Sequence, residues 1–280
     1  MKRVLLTYTC NLVVGVLFAQ EINCDALYDK DSPCYEACQS YNRAAWDWSY
    51  KQGSRLSQMS LDTNVFLCPT FGKAYYVKAI PYLKRGEFVQ WKQLIDSAVK
   101  YEPNTYMGYR GGARFMFLRD YEGAISDIER CDSLLTIDIG YIYNGDYHLQ
   151  MVRAFSYAAL GQKGNALAIM QDYLAKAPYA GPFDYLHLGV LQMELKQHDE
   201  ALKSFAAQVK NNDYVADAYY YAAMVYKHQG NVQECKGNLE KAKKYFLSGK
   251  SLPGKSSYID YPDKVYLQQI EKELFLIINR

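Results

Sequence analysis

Residues 106–131 read YMGYRGGARFMFLRDYEGAISDIERC. Gly108, Gly112 and Phe115 stand at i, i+4 and i+7, and Ala124, Ile128 and Cys131 repeat that interval, so the stretch carries two helical packing stripes. Leu118, Arg119 and Asp120 separate them as a tight turn. Small residues at Gly108, Gly112 and Ala124 suit the faces on which two helices touch, and the stretch is expected to form a helical hairpin. The charged run from Arg119 to Arg130 then belongs to the turn and the outer face. A hairpin this small cannot bury its remaining apolar residues alone, which makes copies of it elsewhere in the chain the next thing to look for.

Six copies can be aligned on their small and aromatic landmarks, with first positions at Cys38, Gly72, Thr105, Tyr147, Pro182 and Ala216. The intervals are 34, 33, 42, 35 and 34 residues. Position 8 is Ala45, Ala79, Gly112, Ala154, Gly189 or Ala223, small in every copy. Position 11 is Trp48, Tyr82, Phe115, Tyr157, Gln192 or Tyr226. Position 20 is Ala124, Ala166 and Ala201 in the middle copies, with Ser57, Trp91 and Cys235 in the others, and Pro69, Pro103 and Pro178 hold position 32.

A helix–turn–helix unit of about 34 residues with these landmarks resembles the tetratricopeptide repeat family. The resemblance covers residues 38 to about 249 and implies an all-α fold, an α-α superhelix of about six hairpins. Two departures stand out. Trp91 occupies a position where a small residue lets helices approach, which predicts local splaying, and Gln192 replaces an aromatic. The 42-residue interval contains an insertion at 138–146, DIGYIYNGD, expected as a surface loop turning at Asn144 and Gly145.

The flanks complete the plan. Residues 1–19 read as a signal peptide: a basic start at Lys2 and Arg3, an apolar run from Val4 to Phe18, and a cleavage point near Ala19. The apolar run is shorter than the ~20 residues that span a bilayer, so export with cleavage is expected, to a periplasm or cell surface, without stable membrane insertion afterwards. Residues 20–37 form a cysteine-bearing segment, with Ser32 and Pro33 suited to a helix start. Residues 250–261 read as a linker. From 262 to 280, Leu267, Ile270, Leu274 and Ile277 at helical spacing predict a helix that caps the stack.

Loss of the signal removes Cys10 and leaves six cysteines. Cys24, Cys34, Cys38 and Cys68 lie near one end and can pair among themselves in an oxidising compartment. Cys131 and Cys235 fall at packing positions. A metal at Cys34 and Cys38 is not expected, because no histidine accompanies them.

Little points to chemistry. The net charge is +2, from 32 basic and 30 acidic residues, which gives no field to attract nucleic acid. The four histidines, His148, His187, His198 and His228, have no ligand spacing, and no nucleophile, phosphate-binding or metal motif occurs. No enzyme activity, cofactor or metal is expected, and His198 is expected in a solvated turn.

What the resemblance implies instead is a concave groove lined by positions 2, 5, 9, 12 and 13 of each first helix. Carried onto this chain, the principal residues are Trp46, Tyr76, Tyr109, Phe117, Phe155, Tyr220 and Met224, with Val190 and others between them. Arg43, Lys73, Arg110 and Arg114 are the charged candidates there. Asn42 with Trp46 and Tyr76 with Ile80 do not make the lysine and asparagine clamp that holds a terminal carboxylate. The groove is aromatic and rich in methionine, suited to a protein or peptide partner. The alternatives are a small-ligand or glycan binder, with rings stacked on sugar faces, and an enzyme whose site the sequence hides.

Overall fold

The computed structural model describes residues 21–46, 51–212, 215–252 and 261–278. The signal at 1–19 and most of the linker at 250–261 lie outside them. The described residues hold 14 α-helices and one π-turn, with a single isolated β-bridge between Tyr141 and His148. They divide into two units, 1–101 and 102–280.

The first unit contains α1 (Cys24–Leu27), α2 (Pro33–Trp46), α3 (Arg55–Leu67), α4 (Gly72–Arg85) and α5 (Phe88–Tyr101). Its first hairpin begins at Pro33, five residues before the register position at Cys38. Two disulfides fix this end: Cys24–Cys38 ties α1 to α2, and Cys34–Cys68 ties α2 to the end of α3. Ser54 starts α3 by accepting from the Ser57 amide at 3.2 Å. Gly86 ends α4 in the left-handed conformation, φ 77°. Trp91 is 1% exposed, so the bulk expected to open the second hairpin is taken up inside the core.

The second unit contains α6 (Pro103–Ala113), a π-turn at Arg114–Leu118, α7 (Tyr121–Leu134), α8 (Leu149–Ala159), α9 (Lys163–Lys176), α10 (Asp184–Glu194), α11 (His198–Asn211), α12 (Ala216–His228), α13 (Val232–Leu247) and α14 (Leu267–Ile278). The turn of the opening hairpin falls where the sequence places it. Arg119 adopts φ 54°, and Asp120 caps α7 by accepting from the Gly123 amide at 3.0 Å.

The touching faces need one correction. Gly111, which the stripe left out, also stands against α7: a Cβ there would stand 3.0 Å from Ile128 Cγ1 and 3.4 Å from the Ala124 carbonyl. Gly108 meets α7 as expected, with a Cβ 3.5 Å from Cys131 Sγ, and also Leu149, whereas Gly112 faces onward to Ile142 of the insertion and to Leu149. The pitch of 100° per residue explains the difference, since one step along the helix swings the contact to a different neighbour. A second correction concerns the charged run: Asp127 is buried and faces inward, where Arg110 and Arg114 bond to it. Those two arginines are therefore committed to the hairpin and are not groove charges.

The core of the second unit runs through Ile128, Met151, Leu186, Phe205 and Val225. A further cluster joins Ala223, Cys235 and Leu239 to Val265 and Ile270, with Leu274 and Ile277 of α14 packed on it. Cys131 and Cys235 are buried free thiols. The insertion is more than a surface loop, because Ile142 is buried and Asp138 pairs with His148 Nε2 at 2.7 Å. His148 Nδ1 in turn caps α8 by accepting from the Gln150 amide.

Candidate functional site

A cavity of about 360 Å³ opens on the second unit. Phe115 of the π-turn, Phe155 and Ala158 of α8, Met170 of α9, and Val190 and Leu191 of α10 form its apolar walls. At the rim, Lys163 Nζ stands 3.1 Å from Glu194 Oε2. The rings within are ordered: Phe115 stacks on Phe155 at 5.9 Å, and Phe155 meets Tyr147 and His187 edge to face at 5.2 and 4.9 Å.

The remaining wall comes from far away in the chain. Pro262 and Asp263, which precede α14, close one side of the cavity. Asp263 accepts from His187 Nδ1 at 2.7 Å, which leaves His187 Nε2 to accept from the Tyr147 hydroxyl at 3.1 Å. Tyr261 lies edge-on to Phe183 at 6.0 Å and donates its hydroxyl to Asp146 of the insertion at 2.5 Å. His187 and Tyr147 are both buried, and burial together with the Asp263 charge holds the Tyr147 phenol well above its usual range. A Tyr–His–Asp chain results, in which the hydroxyl remains protonated and shielded from solvent.

Of the seven candidate residues, Phe155 lines the cavity. Trp46 ends α2, and its side chain lies outside the described residues. Tyr76 belongs to the first unit, half-buried, with the Lys73 ammonium 5.5 Å from its ring. Phe155 reaches the cavity, where Val190 joins it. Tyr109 is half-buried on α6, and Phe117 stacks on Tyr143 of the insertion at 6.4 Å. Tyr220 and Met224 pack against the cluster that α14 covers, close enough for Glu273 to raise the Tyr220 phenol after burial has done so.

Sequence reasoning missed Tyr261, Pro262 and Asp263, which follow a stretch with linker composition. Gln192, read as an aromatic lost, is buried and accepts from the Ser204 hydroxyl at 2.6 Å. His198 opens α11 and meets His228 with ring centroids 4.7 Å apart, so it is not the free turn residue expected. Among the described residues no group of three His, Cys, Asp or Glu side chains is placed to hold a metal ion.

Fold and site together define a class: an all-α stack of helix–turn–helix units with an aromatic cavity on the faces of its first helices. Residues 217–246, which span α12 and most of α13, match the tetratricopeptide repeat family model. No curated protein matches the chain in sequence. Solved structures do match its fold. PilF of Pseudomonas aeruginosa superposes with a TM-score of 0.56 at 11% identity, over 89% of this chain and 97% of that one. PilW, a type IV pilus biogenesis factor, gives 0.56 at 17% identity over 85% and 96%. YrrB, a tetratricopeptide repeat protein with an unusual peptide-binding site, gives 0.52 at 19% identity over 66% and 91%. The chain has the fold of these tetratricopeptide-repeat structures, and its α12–α13 hairpin matches the repeat itself.

Proposed function

We propose that this protein is a non-catalytic scaffold that binds a peptide or protein segment at the cavity of its second unit. The observation that carries the proposal is the cavity itself: six apolar side chains from four helical elements surround about 360 Å³, with the Lys163–Glu194 pair at the rim. An apolar side chain of a partner fits such walls, and the rim charges fix its backbone. The likeness in fold to YrrB agrees with this reading without locating the site.

Catalysis has no place in it. A buried phenol with a raised pKa supplies no nucleophile, and His187 has both ring nitrogens engaged. Export is part of the proposal, supported by two disulfides in the first 68 residues and by the signal-like start of the chain. No helix among the described residues is long and apolar enough to cross a membrane.

The test uses Ala159→Trp, since Ala159 is exposed at the cavity mouth and the larger ring fills the opening without disturbing the core. Peptides selected by display against the folded protein should bind this variant at least about tenfold more weakly, the loss expected when an anchor pocket is blocked. Equal binding would remove the cavity from consideration. Capture of oligosaccharides with no capture of peptides would replace the partner class.

A further inference from the structure

Two acids and two bases line the cavity of the second unit, and their charges do not cancel. Lys163 at the rim is taken up by Glu194, 3.1 Å away. His187 is neutral, because its Nε2 accepts from the Tyr147 hydroxyl while its Nδ1–H donates to Asp263. Asp263 is therefore an anion facing an uncharged partner. Its side chain makes no other hydrogen bond or ion pair among the described residues. The carboxylate is 26% exposed and the imidazole 1%, so Asp263 is the member of the pair that a ligand in the cavity can reach. After burial, its charge is also the largest influence that holds the Tyr147 and Tyr221 phenols protonated.

The wall beside this carboxylate is aromatic. Phe155 meets the same imidazole edge to face at 4.9 Å, and Phe115 stacks on Phe155 at 5.9 Å with the planes 26° apart. An anchor without charge would strip water from Asp263 and leave it unpaired, which costs free energy, and an acidic anchor would meet a like charge. A basic anchor meets an opposite charge. Of the two basic side chains, arginine suits these walls better: its guanidinium is flat and weakly hydrated, stacks on rings and donates to carboxylates, whereas the lysine ammonium is a strongly hydrated point charge. The apolar stem of arginine supplies the surface that the apolar walls require.

We propose that the anchor taken by this cavity is an arginine of the partner segment, with its stem against the Phe115–Phe155 wall and its guanidinium donating to Asp263. The proposal rests on the peptide-binding reading of the same cavity and deepens it by naming the partner's chemistry, a basic peptide segment. Asp263 acts as a fixed wall, and the chain around it keeps its place when the anchor binds.

A random peptide display library panned against the full chain and against Asp263→Asn tests this. The amide keeps an acceptor for His187 Nδ1–H and removes only the charge. Arginine should be enriched among peptides selected on the unaltered chain and not among those selected on the variant. Resynthesised with citrulline, which has the shape of arginine without its charge, the selected peptides should bind the unaltered chain about tenfold more weakly, the effect of one charge-assisted hydrogen bond. The citrulline comparison is made on the unaltered chain and needs no variant to fold. No enrichment of arginine, or arginine peptides that bind equally well as their citrulline forms or to folded Asp263→Asn, overturns the proposal. If the selected peptides are still rejected by Ala159→Trp in that case, the peptide-binding reading stands. If no peptide binds any form, both fall.

Discussion

Asp127 shows how much a single side chain settles inside one hairpin. Arg110 donates to it twice, from Nε at 2.8 Å and from Nη2 at 2.6 Å, and Arg114 Nη1 stands at 3.1 Å. The carboxylate is about as buried as the core, and the two guanidinium groups retain little exposure, so solvent screens them weakly. A bidentate arginine gives direction as well as energy, and here it locks α6 to α7 through the one face where Gly111 lets the backbones approach. Removing the carboxylate leaves two buried cations facing each other. Asp127→Ala should therefore lower the stability of the second unit by about 3–5 kcal/mol, the range for breaking a buried pair from one side. Urea unfolding followed by circular dichroism measures this, and a loss under about 1 kcal/mol would mean that the pair behaves like an exposed one.

At the scale of elements, α1 makes the case for its disulfide. Four residues cannot hold a helix against the cost of nucleation, so α1 persists through the Cys24–Cys38 bond and through Asn42, whose side chain bonds both polar groups of Ile22. Chain-entropy arithmetic gives about 3 kcal/mol for a loop of this length and about 4 kcal/mol for the longer Cys34–Cys68 loop, as upper values. Reduction should speed hydrogen exchange of the α1–α3 amides by factors matching those energies and leave α8–α11 unchanged. Unaltered exchange in α1 after reduction would show that packing alone holds it.

The elements also show what sequence discloses. Helix starts at Gly72 and Ala216 fall on the register, and the small residues Ala79, Ala154 and Ala223 are fully buried, because close helix contact admits no larger side chain and repeats that demand in every copy. The bond from Tyr261 to Asp146 crosses 115 residues and belongs to no repeat. No periodicity announces such a contact: a loop tip and an insertion each look like surface until the fold brings them together. For the same reason the register cannot show that α14 joins the cluster against which Tyr220 and Met224 pack.

For the whole molecule, resemblance in fold at 11–19% identity says that the architecture persists while most of the chain is free to vary. This chain has used that freedom for tyrosine, with 28 copies. Several rings lie deep enough for their hydroxyls to resist ionisation. Burial pushes the Tyr41 phenol up to about 12, helped by Tyr76, and raises Tyr147 and Tyr221 as well, with Asp263 adding to both. In the unfolded chain each phenol ionises near about pH 10. A folded-state pKa above the unfolded value means that the protonated, folded form is favoured fully below about pH 10, and that this advantage is lost as pH rises through the raised values. Each such tyrosine should cost about 1.4 kcal/mol of stability per pH unit in that window. The second unit, where burial pushes Tyr147, Tyr173 and Tyr221 up furthest, should lose stability more steeply than the first, where Tyr41 is pushed up furthest. Urea midpoints taken between about pH 9 and 12, followed alongside tyrosinate absorbance, test this. Full tyrosinate absorbance near about pH 10.5 with helicity retained would show that these rings are not sealed, whereas absorbance that rises only as helicity falls would tie the alkaline limit of the fold to its buried tyrosines.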